Sequence, residues 1–125
     1  MNKACPFCDV TESVIENRFA LAVFDTYPVS PGHLLIVPKR HIAEYFELST
    51  EEKHDMWSLV DLGKDFLNAQ HSPGGYNIGI NCGNVAGQTV MHAHIHLIPR
   101  YIGDVTDPRG GVRGVIPEKQ KYSAS

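Results

Sequence analysis

A chain of 125 residues with 42% hydrophobic content can build one modest core and is too short for two. Its 14 acidic and 11 basic residues leave a net charge of −3, which argues against electrostatic capture of a nucleic-acid polymer or an anionic membrane surface, so any phosphate recognition has to be local. No window approaches the ~20 apolar residues of a membrane span, and the opening MNKACPFCDVTESV has no signal-peptide core; a soluble cytoplasmic protein is expected.

The first feature in chain order is Cys5-Pro-Phe-Cys8. With Cys82 the cysteines are odd in number, and in a reducing compartment they read as thiols with a use other than disulfides. The C-x-x-C spacing is half of a tetrahedral zinc site, although redox centres share it; a redox dithiol normally opens a helix in a parallel βαβ unit, which this sequence does not suggest. Phe19 to Phe24 and Leu34 to Val37 are short apolar runs bounded by turn residues and read as strands, separated by a loop with two prolines and a glycine that ends in Pro31-Gly32-His33.

A helix is predicted from about Thr50 to Ala69. Ser49 with Glu52 three positions on forms a capping box, and Met56, Leu59, Val60, Phe66 and Leu67 recur at helical spacing. Ser72-Pro-Gly-Gly75 ends it, Tyr76 to Asn81 alternates as a strand, and residues 82–89 form a glycine-bearing loop. The short connections favour antiparallel pairing: an α+β fold, with the helix on one face of the sheet. The last strand, within MHAHIHLIPR (91–100), places His92, His94, His96 and Ile98 on one face and Ala93, Ile95 and Leu97 on the other. The aliphatic set belongs to the core, so the imidazoles line a surface or cleft. Three readings are open on the residues alone: histidines satisfied by hydrogen bonds, a catalytic zinc on all three, or covalent catalysis at phosphorus.

His92-Ala-His94-Ile-His96-Leu-Ile98 resembles the His-φ-His-φ-His-φ-φ signature of the histidine triad (HIT) superfamily of nucleotide hydrolases and transferases. FDTYPVSPGHLLIVPKRHI (24–42), YNIGIN (76–81) and GNVAGQTVMHAHIHLIPR (83–100) are similar to its other blocks, in the same order, so the resemblance spans most of residues 5–101. It implies a HIT-like antiparallel sheet of about five strands carrying one long helix and a short helix, with residues 1–102 as the domain and 103–125 as an extended carboxy-terminal tail docked on the domain or on a partner subunit.

The resemblance also implies roles. His94 is the nucleophile that takes the nucleotidyl group, and His96 contacts the α-phosphate and helps the leaving group. Asn81, Gly87, Gln88 and Thr89 bind phosphate, Asp25 holds the ribose, Phe7, Val23 and Phe24 wall the base pocket, and His33 supports the centre from behind. Cys5, Cys8, His41 and His92 would hold a structural zinc, with no obligatory catalytic metal. A homodimer is implied as well.

GQTV before the triad and PRYIGD after it look more like bacterial HIT hydrolases of diadenosine polyphosphates than like the phosphoramidase branch. The expected substrate is therefore a purine nucleotide or dinucleoside polyphosphate, with a purine nucleoside phosphoramidase or a catalytically weak nucleotide-binding module as alternatives. The segment Asp9 to Arg18 is shorter than in many family members. In the glycine-rich tail, Arg109 and Arg113 are candidates to reach phosphate in their own site or across a dimer.

Overall fold

Five short strands form a single antiparallel sheet in the computed structural model, which describes residues 5–10 and 12–122. They are β1 (Ile15–Glu16), β2 (Ala20–Phe24), β3 (Leu34–Pro38), β4 (Gly75–Gly79) and β5 (Ile95–Arg100), in the spatial order β1-β2-β3-β5-β4. The helix α1 (Thr50–His71) packs on one face. Its start is the expected capping box, the Ser49 side chain accepting from the Glu52 N–H while the Glu52 carboxylate accepts from the Ser49 N–H. It runs two residues beyond the expected end, until Ser72 turns left-handed at φ 53°.

Alternation along the strands divides the residues between the two faces. Ala20, Ala22, Leu34, Ile36, Ile95 and Leu97 are fully or almost fully buried against Met56, Leu59 and Leu67 of α1. On the opposite face Val23, Leu35 and Val37 form a smaller apolar cluster, covered by Phe7 and Val10 of the amino-terminal segment. The two faces thus have different tasks: one is core, and the other is left for a site.

Close approach of helix to sheet depends on Gly63. A Cβ there would lie 3.0 Å from Leu97 Cδ2 and 3.2 Å from Leu34 Cδ1. Gly63→Val overpacks this seam and is expected to lower the unfolding free energy by about 2 kcal/mol, read as a fall in the urea midpoint at unchanged m-value.

Two local expectations change. The ladder of the histidine strand starts only at Ile95; His92 and His94 lie in its lead-in, because the carbonyl of Pro38 that would continue towards it accepts instead from the His92 ring. The short helix resolves into 3₁₀ turns, at Tyr45–Glu47, Asn84–Ala86, Gly111–Val115 and Pro117–Lys119. The last two order the tail with polar bonds in place of an apolar core. Arg113 donates to the carbonyls of Lys119 and Gln120 and lies over the Tyr122 ring at 4.7 Å. Gly110, at φ 86°, leaves no room for a Cβ against the Gln120 carbonyl oxygen. The turn at Gly111–Val115 rests on β4. Among the described residues, no helix is long and apolar enough to cross a membrane.

Candidate active site

The face of the sheet opposite α1 carries the imidazoles. His96 on β5 stands between Leu35 of β3 and Gly79 of β4, its register neighbours on either side. Its hydrogen bonds settle which nitrogen holds the proton. The Val29 N–H donates to His33 Nδ1 at 3.0 Å, so neutral His33 carries its proton on Nε2 and donates to His96 Nδ1 at 2.9 Å. His96 therefore keeps its own proton on Nε2. Burial pushes His96 down to about 4, with the neighbouring His94 and His33 acting in the same direction and Asp25 opposing them; burial also lowers His33. Both rings are neutral at pH 7.

His94 has the opposite tautomer. Its Nδ1–H donates to the His92 carbonyl at 2.8 Å, which leaves a lone pair on Nε2. The His94 and His96 ring centroids are 5.1 Å apart. Two adjacent imidazoles thus present unlike atoms, a lone pair on one and an N–H on the other. That combination suits attack at an electrophile whose oxygens need a donor.

Both rings open into a cavity of about 520 Å³. Phe7, Val23 and Leu35 supply apolar wall and Asp25 a carboxylate, while Asn81, Gly87 and Thr89 come from the loop facing them. Phe7 also packs edge-on against His94, with centroids 5.1 Å apart. Asp25 accepts from the Tyr27 N–H at 2.9 Å and reaches His33 Nε2 at 3.5 Å. Sequence reasoning missed Leu35 and Tyr27, which also line the cavity. Leu35 was findable, since alternation in LLIV sets it opposite Leu34 and Ile36.

Other expected residues are spent elsewhere. Gln88 is buried behind the loop, where its carboxamide accepts from the Gly83 N–H and donates to the carbonyls of Ala43 and Val90; it braces the loop in place of reaching the cavity. Phe24 touches the cavity edge, but its position in the β2 alternation sends its ring to α1, 6.2 Å from that of Phe66. Arg109 is paired with Asp107, and Arg113 is bound to its own tail.

Cys5, Cys8, His41 and His92 bring one donor atom each within 4.8 Å of one another. Cys5 Sγ lies 3.3 Å from His92 Nδ1, and Cys8 Sγ lies 3.0 Å from His41 Nδ1. Tetrahedral zinc with two thiolates and two imidazoles separates its donors by about 3.5 Å, so the set fits. His92 is also correctly prepared: its Nε2–H donates to the Pro38 carbonyl at 2.8 Å and leaves Nδ1 for a metal. Asp25, His33 and His96 form a second close cluster, but the Val29 N–H on His33 Nδ1 keeps His33 Nε2 protonated, so that set lacks a third lone pair.

The turn that carries His41 is tied to α1 by Arg40, which forks onto the buried Glu52 at 2.8 and 3.0 Å. The Glu52 carboxyl is held down to about 2, first by Arg40, against burial, and then by the Ser49 N–H and hydroxyl. Because the ordinary value is 4.5, the folded state binds fewer protons than the unfolded one between these limits. This stabilisation is complete above about pH 4.5 and is lost as pH falls towards 2. Glu52→Gln is expected to lower the urea midpoint most at neutral pH, with the gap to the unaltered chain closing across that window.

Fold and cavity together define an α+β domain with an imidazole centre on the free face of its sheet. The model of the HIT domain family matches residues 10–103, and the chain belongs to that family. It is 37% identical over 112 residues to a bis(5'-adenosyl)-triphosphatase of Saccharomyces cerevisiae, covering 86% of this chain and 54% of that protein. It therefore spans about half the length of that relative. A crystal structure of a HIT family protein from Bacillus anthracis superposes with a TM-score of 0.75 at 30% identity, over 98% of this chain and 82% of the other. A zinc-bound histidine triad family protein from Mycobacterium smegmatis superposes with a TM-score of 0.73 at 29% identity, over 83% of this chain and 80% of the other.

Proposed function

We propose that this protein is a nucleotide hydrolase that cleaves at the α-phosphate of an adenine dinucleoside polyphosphate through a nucleotidyl-histidine on His94. The observation that carries this reading is the pair of opposed tautomers. His94 Nε2 attacks the α-phosphorus as the bond from phosphorus to the bridging oxygen breaks, and the departing nucleotide leaves with that oxygen and the electron pair. His96 Nε2–H donates to the phosphoryl and leaving oxygens. Water then attacks the same phosphorus, the P–N bond breaks, and a nucleoside monophosphate leaves with His94 restored.

Asp25 accepts from the ribose hydroxyls, the walls of Phe7, Val23 and Leu35 take the base, and Asn81 with Gly87 and Thr89 holds the phosphates. A zinc ion on Cys5, Cys8, His41 and His92 would supply rigidity and no chemistry, since four protein ligands leave no open position. The working unit is a cytoplasmic homodimer of a domain over residues 1–102 with a docked tail over 103–125; within those spans residues 1–4, 11 and 123–125 lie outside the described ones. The names of the yeast and mycobacterial relatives support the substrate class and the metal respectively.

Hydrolysis of diadenosine triphosphate in ¹⁸O-enriched water tests this. Attack at the α-phosphorus places the label in AMP and leaves ADP unlabelled. Label in ADP, or no turnover, overturns the reading.

A further inference from the structure

A second cavity, of about 410 Å³, adjoins the first on the other side of His96. Val29, Asn77 and Ile98 form its floor, and Val112, Gly114 and Val115 of the tail form its outer wall. Both cavities are lined by His96 and by Asn81. Gly79 is the register neighbour of His96 on this side, and a Cβ there would meet nothing within 4 Å, so this position puts no side chain of its own between the chambers. The Asn81 carboxamide makes no hydrogen bond among the described residues, which leaves it available to a ligand running from one chamber to the other.

Resting on the hydrolase reading above, we infer that this chamber holds the leaving half of the substrate, so that the ligand is two-headed: a nucleoside in each chamber with the polyphosphate crossing at His96 and Asn81. The wall made by the tail decides the matter. Residues 111–115 are set on β4 by the packing of Gly111 beside Asn77, and Arg100 Nη1–H holds the Asn77 carboxamide oxygen at 2.6 Å, which fixes this floor. A one-headed substrate with a small leaving group has no use for an apolar space of that volume. A second nucleoside buries its base there.

The tail is thereby a specificity element. Val112 and Val115 are 59% and 75% exposed, so enlarging them fills the chamber without disturbing the core. The experiment measures kcat/KM for diadenosine triphosphate and for adenosine 5'-phosphoramidate in Val112→Trp and Val115→Trp, with thermal melting as the fold control. The ratio of the two specificity constants is expected to shift about tenfold against the two-headed substrate in at least one variant, because only that substrate loses a binding partner. An unchanged ratio in both variants overturns the inference. Failure of the hydrolase reading shows separately, as no turnover of either substrate by the unaltered protein. In that event calorimetric binding of a non-hydrolysable diadenosine triphosphate, compared with AMP, makes the same comparison: a selective loss in the variants supports the chamber, and equal binding overturns it.

Discussion

His94→Ala is expected to lower turnover of diadenosine triphosphate by about 10⁴-fold or more, the scale seen when a nucleophile that acts within a catalytic unit is removed. Intact-protein mass spectrometry after a rapid quench should show the mass of one AMP moiety, acid-labile, on the unaltered chain and nothing on the variant. The fold should survive, because the His94 ring faces the cavity and its one hydrogen bond among the described residues is to the neighbouring His92 carbonyl. His96→Ala should behave differently. It removes a donor and keeps the lone pair on His94, so turnover falls by about 10²- to 10³-fold while the adduct still forms, more slowly. An adduct on His94→Ala would overturn the assignment, and turnover with no adduct in any form would indicate direct attack by water.

How much of this was legible in the sequence depended on the range of the interaction. The helix start was readable because Ser49 and Glu52 are three residues apart and satisfy each other. The division of faces was readable from alternation, as far as Leu97 inward and His96 outward. The partner that lowers the Glu52 carboxyl was not, since Arg40 lies before the helix and meets it only once the sheet has folded. The tautomers were hidden for the same reason: they depend on the Val29 N–H and the His92 carbonyl, and no residue type encodes the direction of a backbone group. Gln88 shows where family resemblance and local chemistry part. Position suggested a phosphate ligand, but a loop with glycines at φ 91° and 95° needs an internal brace, and the carboxamide of Gln88 supplies it. The tail was legible only as an extended segment in need of a surface to dock on; its internal order was not, because apolar content measures core-forming ability and this segment is ordered by guanidinium-to-carbonyl bonds.

Removing the metal separates a structural zinc from a catalytic one. A chelator in excess is expected to lower the melting temperature by roughly 10 °C or more, because a ligand present at a thousand times its dissociation constant contributes about 4 kcal/mol and each kcal/mol moves a domain of this size by a few degrees. The loss should extend to nucleotide binding. Phe7 lies between Cys5 and Cys8 in the chain and packs on the rings of His92 and His94 at 5.9 and 5.1 Å, so freeing those two thiols releases one wall of the cavity. Cys5→Ser with Cys8→Ser should melt at the lower temperature with or without chelator. If chelation instead abolishes turnover at an unchanged melting temperature, the metal belongs on His92, His94 and His96 as a catalytic ion, and the lone pair assigned to attack is a ligand. The geometry opposes that outcome, because the His92 nitrogen left for a metal is directed at Cys5 while the His94 nitrogen opens into the cavity.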